Sequence, residues 1–325
     1  MDGISIIICC YNSNWIINKC LEALISQNIP NWISWEIILI DNCCTDQTAI
    51  TANEILKTTN ISYKIIYEKT PGLRYARERG IKNALYEFLL FVDDDNILNE
   101  TYVEQIYLSM KSDSKVGAFG GQGIPYFWDT TEPNWFKQHG SKYALYSQLD
   151  ESNKVRGNFL YGAGCCYRKS ALLAIQEKGI SQMLIGRCGK SLTSGEDSEL
   201  SKLLILSGYT LKASDKLTFL HVLTKKRLTK DYLEKLYYAI GQSGSFLKIY
   251  DYIINQQKKI PIHYVLRYIK MKLFVIFTTF YLFVFQNEKY RMLLSYAKGY
   301  TDSIKENGFK HYFDLYSKIK QVYRD

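Results

Sequence analysis

Nothing in the 325 residues spaces two cysteines as C-x-x-C, although eight cysteines are present. They fall instead in adjacent pairs, Cys9/Cys10, Cys43/Cys44 and Cys165/Cys166, with Cys20 and Cys188 alone, which excludes the usual zinc and dithiol redox motifs. Reduced thiols in a cytosolic protein are the simplest expectation. The first apolar stretch, "ISIIICCYN", lacks the basic flank and length of a secretory signal, so export is not expected. It leads into "CCYNSNW", which has no glycine, whereas a dinucleotide-binding turn requires G-x-G-x-x-G there. The strongly apolar stretch Leu273 to Phe285 covers 13 residues. As a helix it would be roughly 20 Å long against a hydrocarbon core of ~30 Å, a poor membrane span. Internal repeats and low-complexity linkers are also missing.

What is present is unevenly charged. The net charge of +9 conceals 19 Lys and Arg against 8 Asp and Glu in residues 225–325, and 22 against 24 in residues 1–224. No nucleic-acid motif accompanies the basic excess, so nucleic acid is not an expected partner. Two readings of the C-terminal third stand side by side. One is a helix buried against the rest of the protein. The other is a segment in the interface of an anionic membrane, with Lys258, Lys259, Arg267, Lys270 and Lys272 facing the head groups.

In the first half, apolar runs alternate with helical patterns. "ISIIICCYN", "WEIILIDN", "YKIIYEK" and "FLLFVDDD" read as strands, and Trp15 to Ile25, Asp46 to Lys57 and Tyr75 to Leu85 as helices between them. Such alternation predicts an α/β protein with a parallel sheet covered on both faces. Ligands bind such sheets outside the carboxyl ends of the strands. There the sequence places Tyr11 and Asn12, then Asp41 and Asn42, then Asp93, Asp94 and Asp95. Adjacent carboxylates raise one another's pKa unless a cation neutralises them. Hard divalent ions take carboxylate and phosphate oxygens. In extended backbone Asp93 and Asp95 point one way and Asp94 the other, so the pair suits one Mg²⁺ or Mn²⁺ and leaves Asp94 for a sugar hydroxyl. A solvated turn or helix start explains an isolated acidic run equally well.

The succession "SIIICCYN", "EIILIDNCCTDQT", "GLRYARERGIKNA", "FVDDDN" and "GEDSELSKLLILSGY" resembles the family 2 glycosyltransferases of bacterial polysaccharide biosynthesis over residues 4 to 225. The resemblance implies a GT-A fold, a Rossmann-like and mostly parallel sheet flanked by helices, for residues 1–225. Residues 226–325 would be a basic, largely helical extension. It further implies an inverting, metal-dependent transfer of a single sugar from a nucleoside-diphosphate sugar to a glycan or lipid-linked glycan, in the cytoplasm or on the inner face of the cell membrane. Tyr11, Asn12, Asp41, Arg77, Asp93 and Asp94 would bind the nucleotide; Gly162, Ala163, Gly164 and Glu196 the donor sugar; Asp93, Asp95 and His221 the metal. Asp197 in "GED" would be the catalytic base. The chain departs from the pattern at Cys10, where Thr is usual, at Cys43 and Cys44, and at Glu78, where Asn usually follows the Arg. The Q-x-x-R-W motif of processive synthases is absent.

Other readings bear on the same residues. "GEDSEL" could simply start a helix whose dipole favours acidic side chains. Gly120 and Gly121 could line the pocket or make tight turns. Trp128, Trp135 and Phe136 could form an exposed platform for an acceptor or lie buried under a loop. Lys225, Lys226 and Arg227 could close over phosphates or form a solvated loop. A non-catalytic nucleotide-sugar-binding protein and a metal-dependent phosphoryl-transfer enzyme are the rival classes. "DDDNI" and "GEDSEL" fit neither acidic motif of the haloacid dehalogenase type.

Overall fold

Runs such as "ISIIICC", "WEIILID" and "FLLFVD" carry apolar side chains on both sides of the strand, so they are stable only where both faces of a sheet are covered. The computed structural model describes residues 1–180, 182–188, 192–257 and 260–323, and there they form the centre of one mixed sheet. The strands are β1 (Ile4–Cys10), β2 (Trp35–Asp41), β3 (Tyr63–Tyr67), β4 (Phe88–Asp93), β5 (Asn96–Leu98), β6 (Val116–Phe127), β7 (Cys165–Arg168) and β8 (Thr210–Leu223). Their order is β3-β2-β1-β4-β7-β6-β8-β5. The helices are α1 (Ile17–Ile25), α2 (Thr48–Leu56), α3 (Leu73–Asn83), α4 (Tyr102–Lys111), α5 (Lys169–Glu177), α6 (Glu196–Leu206), α7 (Lys230–Ile254), α8 (Ile260–Phe285) and α9 (Glu288–Val322).

The expected parallel βαβ half is present: β3, β2, β1 and β4 are parallel neighbours. Beyond β4 the sheet is mixed. β7 runs antiparallel to β4 and β6, and β5 runs antiparallel to β8, while β6 and β8 are parallel. Alternate residues of β1 serve two cores. Ile4, Ile6 and Ile8 pack with α1 and α4, whereas Ile7 packs with Ile38, Ile40 and Leu89 on the face covered by α3 and α5.

The three-residue strand β5 has a large positional effect. It turns the chain straight after the acidic run and pairs Asn96 with His221, so residues 93–95 lie beside a strand more than a hundred positions later. The backbone N–H of Val222 also donates to the Asp95 carbonyl at 2.9 Å.

The C-terminal region is helical, and α7 and α9 lie against each other at backbone contact. A Cβ on Gly241 would stand 2.1 Å from the carbonyl oxygen of Tyr296, and one on Gly299 would stand 2.0 Å from that of Tyr238. Either methyl group forces the helices apart. Gly241→Ala and Gly299→Ala are each expected to lower stability by about 1–3 kcal/mol, the usual scale of overpacking, in urea denaturation. A midpoint equal to wild type in both variants would show that the crossing yields freely.

Candidate active site

At the carboxyl ends of β1, β2 and β4 the sheet opens into a cleft of about 840 Å³. Tyr11, Arg77, Asp93, Asp94, Asp95, Gly162, Ala163, Glu196, Asp197 and His221 all line it. Three residues expected there do not. Asp41 accepts the backbone N–H of Cys44 at 2.9 Å, and Asn12 binds Thr45 through its Oδ1 at 2.7 Å. Both tie together the turns that frame the cleft. Gly164 has a φ of +64°, and its carbonyl accepts the Tyr102 hydroxyl at 2.6 Å. It bends the backbone next to the lining residues Gly162 and Ala163.

The three aspartates have three environments. Asp93 ends β4. Burial, with the charges of Asp95 and Asp93 beside it, pushes the Asp94 carboxyl up to about 7. Its Oδ2 accepts a long hydrogen bond from the Tyr11 N–H at 3.4 Å. Asp95 is buried as well, but His221 and the Arg227 guanidinium outweigh that penalty and hold its carboxyl well below the usual carboxylate range. Arg227 Nη1 donates to Asp95 Oδ2 at 2.7 Å, and His221 Nε2 stands 3.5 Å from Oδ1. The Nε and Nη2 of Arg227 are buried without hydrogen-bond partners among the described residues.

Arg77 and the start of α6 form the opposite side. Arg77 Nη1 meets Glu196 Oε1 at 3.1 Å, and its guanidinium lies 5.5 Å from the centre of the Phe91 ring. Gly162 makes room for it, since a Cβ there would stand 2.4 Å from Nη2. Burial, reinforced by Asp197 next along the chain, pushes the Glu196 carboxyl up to about 7 against the pull of Arg77. Asp197 is oriented through both oxygens. Oδ2 accepts the Gly162 N–H at 2.8 Å and Oδ1 the Ser198 N–H at 2.7 Å. The Ser198 hydroxyl also donates to Oδ1 at 3.3 Å; a carboxylate offers about four acceptor positions, so one remains for a ligand hydroxyl.

The two thiols that end β1 are disfavoured as thiolates. Burial pushes the Cys9 thiol up to about 12 and that of Cys10 well above its ordinary value. Glu78, where the motif usually has Asn, pairs with Arg74 at 2.7 Å. Gly120 and Gly121 do not line the cleft; a Cβ on Gly121 would strike the Tyr102 hydroxyl at 2.2 Å. The expected aromatic platform is divided. Phe136 is buried with Tyr143 and Leu223, and Trp135 packs beside it. Trp128 is exposed, 6.1 Å from Trp15 and Tyr126, with Lys19 over its ring.

The sequence reading missed one whole wall. Leu236, Ile240, Ser243, Leu247 and Asp251 line the cleft from one face of α7, with Arg267 from α8 and Tyr296 from α9. Their spacing of three and four residues signals a helix face but not what that face covers. Arg187 and the buried Lys202 also line the cleft and were not singled out.

This fold is GT-A, and comparison with known proteins carries it to a family. Residues 5–175 match the family described as Glycosyl transferase family 2, and the chain belongs to that family. It is similar to glycosyltransferase GlyA of Streptococcus pneumoniae, 23% identical over 253 residues that cover 75% of this chain and 34% of GlyA. It also matches the poly(ribitol-phosphate) beta-N-acetylglucosaminyltransferase TarS of Staphylococcus aureus, 31% identical over 100 residues, 31% of this chain and 17% of TarS. The chain thus spans about a third or less of these curated relatives. Among solved structures, S. aureus TarS 1–349 in complex with UDP superposes with a TM-score of 0.52 at 16% identity, covering 98% of this chain and 91% of that one. Mannosyltransferase PcManGT from Pyrobaculum calidifontis, in complex with GDP-Man and Mn²⁺, gives 0.57 at 12% identity, covering 94% and 86%. At such identities the structural likeness establishes the fold.

Two outcomes follow from the electrostatics. Removing the Asp95 charge strands a buried guanidinium, so Asp95→Asn is expected to cost about 3 kcal/mol in metal-free protein, whereas Asp94→Asn relieves repulsion and costs less; equal urea midpoints would contradict the pairing. The raised Glu196 carboxyl stabilises the fold fully below its ordinary 4.5 and loses that contribution as pH rises through about 7. Wild type should therefore lose stability relative to Glu196→Gln between those limits, measurable by thermal melts across that range.

Proposed function

We propose that this chain moves a single sugar from a nucleoside-diphosphate sugar to a hydroxyl of a glycan or lipid-linked glycan, with inversion at the anomeric carbon and with Mn²⁺ or Mg²⁺. One observation carries the reading: the acidic run with His221 and the oriented carboxylate of Asp197 share a single cleft. The family membership agrees with it, as do the nucleotide and nucleotide-sugar complexes of the fold neighbours. A non-catalytic binding protein would have no use for a carboxylate held through both oxygens, and a phosphoryl-transfer enzyme has no counterpart to this family match.

The donor set suits a hard divalent ion: Asp93 and Asp95 supply carboxylates and His221 an imidazole. No group of three such side chains is gathered for an ion among the described residues, so the substrate's phosphates would have to complete the site. The ion, when bound, neutralises charge on the departing diphosphate. The protein's own groups do the rest. Arg187, exposed in the cleft, favours the same anion. Asp197 accepts the proton of the acceptor hydroxyl as that oxygen bonds to the anomeric carbon. The bond from that carbon to the diphosphate breaks on the opposite face, and the nucleoside diphosphate leaves with the electron pair.

In this reading residues 1–225 supply the acidic run and the catalytic carboxylate, while the basic helical part that follows both completes the cleft through Arg227, α7 and Arg267 and meets a membrane on its cytoplasmic side. Asp197→Asn keeps the shape of the side chain without its basicity, so kcat should fall by at least ~100-fold with little change in nucleotide affinity. EDTA should abolish transfer. Transfer undiminished in EDTA would remove the metal, near-normal kcat in the variant would remove the base, and a retained anomeric configuration by product NMR would remove inversion.

A further inference from the structure

Helix α8 turns its most apolar face away from the protein. Its inner side packs on α9 through the buried Tyr264 and Thr278. Outside, Leu266, Ile269, Leu273, Ile276, Phe280 and Phe283 recur every three or four residues, all exposed, reaching 86% at Phe283. Surface helices ordinarily show the reverse pattern, and an apolar stripe of this length marks a partner. Helix α8 has 26 residues, twice the apolar run visible in the sequence, so length alone no longer excludes a membrane span. Its charges do. Lys270 and Lys272 fall at the middle of the helix, where a span would bury them in hydrocarbon.

The same helix forms part of the cleft. Arg267, adjacent to Leu266, points inward rather than toward head groups, as the sequence reading had it. Its guanidinium lies 5.3 Å from the centre of the Tyr300 ring, and its Nε is buried without a partner among the described residues. Beside it Lys202 and Lys248 share one carboxylate, that of Asp251, at 2.5 and 3.5 Å. This wall therefore carries three cations against one anion, facing an acidic floor. A helix with its side chains is about 10–12 Å across, so Arg267, on the inner side of α8, stands about one helix thickness behind the apolar stripe.

Charge decides the occupant of the stripe. Residues 225–325 hold 19 basic against 8 acidic side chains. A second copy docked on this face would oppose like charges, whereas an anionic bilayer complements both the charge and the phenylalanines. Lys258 and Lys259, which the sequence reading assigned to head groups, lie outside the described residues.

We propose that α8 seats the protein flat on an anionic bilayer, and that the wall of Arg267, Lys248 and Lys202 takes the phosphate of an acceptor borne by that bilayer. The word acceptor rests on the glycosyl-transfer reading; the tests below do not use turnover.

Flotation compares phosphatidylcholine vesicles with and without phosphatidylglycerol, and calorimetry compares farnesyl diphosphate with inorganic pyrophosphate. Wild type should float with the anionic vesicles at low salt and be released at high salt. The triple variant Ile276→Ser, Phe280→Ser, Phe283→Ser should stay unbound while still binding UDP, which shows that it is folded. Farnesyl diphosphate should bind at least ~10-fold more tightly than pyrophosphate. Arg267→Gln should weaken both diphosphates by a similar factor while still floating, with Arg267→Lys recovering part of the loss. Failure of wild type to float at low salt overturns the proposal, as does a dimer on size exclusion that the triple variant converts to monomer. Equal affinity for the two diphosphates assigns the wall to a soluble anion and overturns the membrane-borne acceptor. Loss of UDP binding in wild type, with flotation intact, would strike the glycosyl-transfer reading instead.

Discussion

Carboxylates crowded into one cleft cannot remain charged without cations, and the chain brings each cation from a different segment. Arg227 reaches Asp95 across 132 positions, Arg77 reaches Glu196 across 119, and Lys202 meets Asp251 across 49. Packing of the C-terminal helices, the turn into β5 and the glycine at position 162 all serve these pairings. Burial still wins at two of the carboxyls: Asp94, and Glu196 despite Arg77, both rise to about 7, whereas Asp95 with His221 and Arg227 is held low.

The half of the fold built from local signals was legible in the sequence. The first four strands and three helices follow from apolar runs alternating with helical periodicity, and their ends agree with the observed elements to within a few residues. Ten of the thirteen residues to which the resemblance assigns a role line one cleft; Tyr11 and Asp93 to Asp95 do so because the ends of parallel strands converge there, whereas Arg77, Gly162, Ala163, Glu196, Asp197 and His221 are brought in by α3, α6 and the mixed half of the sheet. The mixed half was not legible. β5 has three residues, and β6 and β8 pair in a register interrupted by irregularities. Nothing local specifies which strand lies beside which.

The C-terminal third misled for a related reason. Periodicity reports that a helix has two faces but not which of them meets the protein. In α7 the small and apolar face closes the cleft, while in α8 the larger apolar face points outward and a lone arginine points in. Composition registered the basic excess of this region, yet three of its basic residues, Arg227, Lys248 and Arg267, are committed to the cleft rather than to the surface.

The distance in sequence between the acidic floor and its counterions also bears on how the chain comes off the ribosome. β1 to β4 can pair as soon as Phe88–Asp93 emerges, with local crossovers and short loops. Asp95 then waits for Arg227, and the α7–α9 crossing waits until α8 has been made between them. Until residue 227 has been made, any pairing of β1 to β4 carries the acidic run without its arginine counterion.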